Sequence, residues 1–136
     1  MHIFDGKQTD MNIVVHAFDT IPMFHLSVPL LVFAEVAELV PGQRWSTKVW
    51  SRTGAPVRTA EGVLLGDIHG PEILQDADII IFPSWPTSLP AADPGLIHQI
   101  RHLHERGTII VGLCLGAFPV AASGIVDGRS VVTHWV

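Results

Sequence analysis

VGLCLGAFPVAASG, residues 111–124, carries the chain's one cysteine, Cys114, at the junction of two kinds of sequence. Before it, Thr108–Leu113 (TIIVGL) is apolar and β-branched and reads as a buried strand. After it, Leu115–Ser123 reads as a helix that starts with no intervening loop and stops at Gly124. In open α/β sheets, ligands bind at the carboxyl ends of the strands, so a side chain on such a turn projects into a crevice. Gly112 and Gly116 allow the backbone to approach closely there. A helix N-terminus favours thiolate over thiol. The backbone N–H of Leu115 is placed to face an oxyanion. This is the logic of a nucleophile elbow with cysteine in place of serine. Position alone leaves two readings open: a small buried hydrophobe or a reactive thiol.

Working outward, the same alternation repeats. Asn12–Phe18 (NIVVHAF) and Asp78–Phe82 (DIIIF) are two more buried strands. Trp45–Arg52 and Val57–Leu65 are strand-like, with Gly54, Pro56 and Gly62 at the bends. Ser27–Val40 has helical length, with Ser27 as the expected N-cap, Pro29 in the first turn and Pro41-Gly42 as the stop. Residues 70–77 suggest a short helix, and Asp93-Pro94 opens another that Gly107 closes. Ser130–Trp135 reads as a last strand. Doubly buried strands alternating with helices predict an α/β fold, a parallel sheet with helices on both faces. Residues 1–11 read as a flexible N-terminal tail and 12–136 as one domain. The chain stops one residue after Trp135 with no helix following, so the domain is expected to be C-terminally incomplete.

Composition narrows the function classes. The 136 residues suit one domain, and 48% of them are hydrophobic, enough for a substantial core. A net charge of −5 is no nucleic-acid footprint. A single cysteine cannot form an internal disulfide, which fits a reducing compartment. No signal peptide and no membrane-spanning run is visible, so the expected location is cytoplasmic and no membrane partner is expected. His98 and His102 share a helix face, but no further ligand with convincing spacing joins them, so the plainer reading is a polar helix face and no metal. No phosphate loop or other cofactor motif is present, and no cofactor is expected.

The stretch from Cys114 to Trp135 resembles the PfpI (class I glutamine amidotransferase-like) superfamily, in the branch found at the N-terminus of AraC-family transcription regulators. The residues that carry the likeness are Cys114, Gly116-Ala117-Phe118, Gly124-Ile125-Val126-Asp127-Gly128-Arg129 and Thr133-His134-Trp135. Phe24–Phe33 (FHLSVPLLVF) and Asp78–Pro86 (DIIIFPSWP) agree with it. The resemblance implies a flavodoxin-like fold of PfpI type. It also implies a homodimer that binds a small-molecule ligand, and DNA contact only through a C-terminal helix-turn-helix domain that this chain lacks.

On that resemblance His134 takes the position of the cysteine's partner, and His25 stands where the superfamily's enzymes usually place an acidic residue. The second oxyanion donor would come from the Ser84-Trp85 loop, where Trp85 occupies space a substrate would need. The expected site is therefore Cys114 and His134 as the catalytic pair, with His25, Ser84, Trp85 and Leu115 binding ligand. Without the acid, the expectation leans away from an enzyme and toward a ligand sensor. A stand-alone cysteine enzyme of hydrolase, hydratase or glyoxalase type is the alternative. A fragment without independent function is a third reading.

Overall fold

Apolar β-branched runs become the strands of one sheet. The computed structural model describes residues 9–134. Its strands are β1 (Thr9–His16), β2 (Gln43–Trp50), β3 (Val57–Arg58), β4 (Leu64–Leu65), β5 (Ile79–Phe82) and β6 (Ile109–Gly112). The main sheet has the order β2-β1-β5-β6, and every pairing in it is parallel. The helices are α1 (Met23–Leu39), α2 (Pro94–Glu105) and α3 (Ala117–Ala122), with short 3-10 segments at Pro71–Asp76 and Cys114–Gly116.

Alternation along the strands sorts the core into two layers. Val14, Ile80 and Phe82 pack with Leu96, Ile100 and Leu103 of α2 and Val120 of α3. Ile13, Val15, Ile79 and Ile81 face the other way, toward Leu26, Leu30 and Phe33 of α1 and Val57 of β3. The chain is thus a parallel α/β sheet with helices on both faces, the flavodoxin-like arrangement expected. From β1 the chain runs to one side to form β2 and then to the other to form β5. The sheet's switch point lies between β1 and β5, where a crevice opens at the carboxyl ends.

Several local expectations are corrected. Helix α1 starts at Met23, a full turn before Ser27, with Pro22 at the N-cap position. Its first N–H is held from afar: the Glu61 carboxylate accepts from Met23 N at 3.1 Å. Ser27 instead donates back to the Phe24 carbonyl at 3.1 Å, and Pro29 lies inside the helix. A proline there cannot donate to the carbonyl four residues earlier, that of His25. The segment Val57–Leu65 divides at Gly62 (φ +85°) into the antiparallel pair β3–β4. Strand β6 is not fully buried, and Ile109 is 54% exposed, because β6 is the edge of the described sheet. Residues 130–134 form no strand, since they make no ladder pairing among the described residues. Trp135 lies outside the described residues. Of the expected tail, residues 9–11 belong to β1, and residues 1–8 lie outside the described residues.

Candidate functional site

The cysteine turn is built by two glycines. At Gly112 an added Cβ would stand 2.7 Å from the Gly116 oxygen and 2.9 Å from Ala117 Cα. At Gly116 it would collide with the Phe82 carbonyl at the end of β5. The Leu113 N–H donates to that same carbonyl at 2.9 Å. These contacts press the turn against β5, beside the Ser84-Trp85 loop. Cys114 itself has φ +52°, a left-handed conformation that costs a residue with a side chain on the order of 1 kcal/mol or more. Thr20, just after β1, is also left-handed at φ +73°.

Both strained residues border one crevice of about 240 Å³. Phe18, Thr20 and Pro22 come to it from the β1–α1 connection, His25 from the first turn of α1, and Ser84 to Thr87 from the loop after β5. Cys114 and Leu115 follow β6, and His134 closes the remaining side. All six residues singled out from sequence, His25, Ser84, Trp85, Cys114, Leu115 and His134, therefore line a single cavity.

Each wall has its own support. His25 sits in the first turn of α1, and its Nδ1 is buried with no hydrogen-bond partner among the described residues. The Trp85 indole is pinned by donating Nε1–H to the Pro90 carbonyl at 2.9 Å. It also stacks on His16, with centroids 6.0 Å apart at 26°. Thr133 donates its hydroxyl to the Cys114 carbonyl at 2.7 Å, which ties the segment bearing His134 to the cysteine turn.

Sequence reasoning missed His16 and Thr133. His16 ends β1 beneath Trp85, enclosed by Trp50 (4.9 Å between centroids), Phe82 (5.3 Å) and Phe18 (5.9 Å). Burial, with the Arg52 charge as the smaller cause, lowers its pKa to about 3. The ring is thus neutral at ordinary pH. The available signal was a lone imidazole at the carboxyl end of an apolar strand. Among the described residues no group of three or more His, Cys, Asp or Glu could hold a metal ion.

The fold is the one that ThiJ/PfpI proteins share, as the resemblance implied. A ThiJ/PfpI family protein from Pseudomonas syringae matches over 93% of this chain and 51% of its own, at TM-score 0.69 and 15% identity. The likeness extends to transcription regulators. A candidate transcriptional regulator from Vibrio parahaemolyticus superposes at TM-score 0.74 with 25% identity, covering 91% of this chain and 67% of its own. An AraC family transcriptional regulator from Pseudomonas putida gives 0.70 and 19%, over 88% and 64%. In sequence, the chain is 29% identical over 92 residues to the HTH-type transcriptional regulator CdhR of Pseudomonas aeruginosa. That match takes in 68% of this chain but only 27% of the regulator's length. An uncharacterized protein of Streptomyces lividans, encoded in the cpoL 5' region, is 29% identical over 125 residues, 90% of this chain and 86% of its own. No family model matches the chain. No helix among the described residues is long and apolar enough to cross a membrane.

Proposed function

We propose that this chain is the ligand-sensing and self-associating part of an AraC-type transcription regulator, and that it binds a small metabolite in the Cys114 crevice. One observation carries the reading. In a chain similar to regulators, residues from three strand ends and the His134 segment converge on a single small cavity whose acid position holds His25. DNA would be contacted by a separate helix-turn-helix domain, consistent with the −5 charge of this chain. The expected compartment is the reducing cytoplasm. Self-association is supported by an apolar stripe on the outer side of α1, where Phe24, Leu31 and Leu39 are 73%, 62% and 74% exposed. A second copy of the chain would cover it.

A cysteine enzyme is the second reading, favoured by the strained φ of Cys114 with His134 on the same cavity. Incubating the purified chain with small aldehydes, amides and isonitriles separates the two. A sensor leaves these compounds unchanged. Turnover that disappears in Cys114→Ala would overturn the sensor reading.

A further inference from the structure

We infer that the crevice selects a charge-neutral small molecule, one with an apolar body and a hydrogen-bonding head, and discriminates against carboxylates and ammonium ions. This rests on the reading of the Cys114 crevice as a ligand site. The polar groups that border it, among the described residues, are hydroxyls, two imidazole rings and the Cys114 sulfur, among them Ser84, Thr20, Thr87 and His25. The rest of the wall is apolar, with Phe18, Trp85 and Leu115 foremost. Among the described residues no Arg, Lys, Asp or Glu lines it.

Two carboxylates beside the β1–α1 connection accept hydrogen bonds from backbone N–H groups. The Asp19 carboxylate accepts the Arg58 backbone N–H at 3.0 Å. The Glu61 carboxylate accepts the Met23 N–H, and so already supplies the negative charge that the start of α1 would attract. An ion entering such a cavity sheds water and finds no carboxylate, ammonium or guanidinium group on the described wall to pair with, a cost of several kcal/mol. A cation–π contact with an aromatic wall returns only about 0.5–2 kcal/mol, and His16 already stacks on Trp85. A neutral carbonyl or amide loses far less. It can pair with the Ser84 hydroxyl. Size sets the other limit: about 240 Å³ holds roughly eight waters at ~30 Å³ each. A compact molecule fits that space.

The test uses three probes of similar size and different charge: benzamide, benzoate and benzylammonium. Each is titrated against the whole chain at pH 8 by ligand-observed NMR. A Thr87→Trp variant serves as the control, because it places a bulky ring at an exposed position on the crevice mouth. Benzamide is expected to bind at least tenfold more tightly than either ion, and to lose at least tenfold in Thr87→Trp. If either ion binds as well as benzamide and is likewise displaced by Thr87→Trp, the crevice is a ligand site but its preference for neutral molecules is wrong. If no probe binds, or if Thr87→Trp changes nothing, the ligand-site reading falls and this inference falls with it.

Discussion

His16 is 2% exposed, walled in by four aromatic rings, with Nδ1 unpaired among the described residues. Its folded pKa of about 3 lies below that of an unfolded histidine near 6.5. Between those values the unfolded chain binds a proton that the folded chain refuses, so stability falls as pH falls. The slope from this one group is up to about 1.4 kcal/mol per pH unit. Urea unfolding at pH 6.5, 5.5 and 4.5 is expected to show that loss, and His16→Leu is expected to flatten it. Equal slopes in the two proteins would mean that folded His16 takes up protons freely. At this scale legibility was uneven. Cys114 was readable because its glycines and the strand-to-helix switch are local in sequence. His25 was readable only through a resemblance. His16 was hidden inside an apolar run, and Thr133 acts through a contact 19 residues away.

Elements were readable where the signal was local. Asp93 caps α2 by accepting the Gly95 N–H at 2.8 Å, and Gly107 ends that helix at φ +95°. Both features stand beside the helix they bound. Helix α1 was misplaced by a turn because its cap is tertiary: Glu61 lies 38 residues from Met23. Ser27 and Pro29 mimic a start signal inside a helix that had already begun. The same helix is apolar on nearly every side, so its inner face fills the core through Leu26 and Pro29 while Leu31 stays outside. A second copy covering that outer face makes a specific demand. Sedimentation velocity at micromolar concentration is expected to give a dimer, and Leu31→Asp is expected to shift it to monomer with its circular dichroism unchanged. A wild-type monomer, or a Leu31→Asp dimer of equal strength, would place self-association elsewhere or nowhere.

For the whole molecule, the parallel sheet followed from strands that read as apolar runs, because Val14, Val15 and Ile79 to Ile81 are buried on both faces. The strand order did not follow from sequence. It is the crossing from β2 back past β1 to β5 that opens the crevice, and this depends on pairings such as Val14 with Ile80. The site is thus a product of topology: Thr20, Ser84 and Cys114 are far apart in the chain and meet only at the strand ends.

The sensor reading stands on ligand binding at this meeting point. The most direct measurement is a 1H–15N correlation spectrum of the chain titrated with benzamide. Saturable shifts are expected at Thr20, His25, Ser84, Trp85, Thr87 and Leu115, with Thr133 and His134 moving alongside. Shifts that gather elsewhere, such as on the α2 histidines, or a spectrum that does not change, would contradict it.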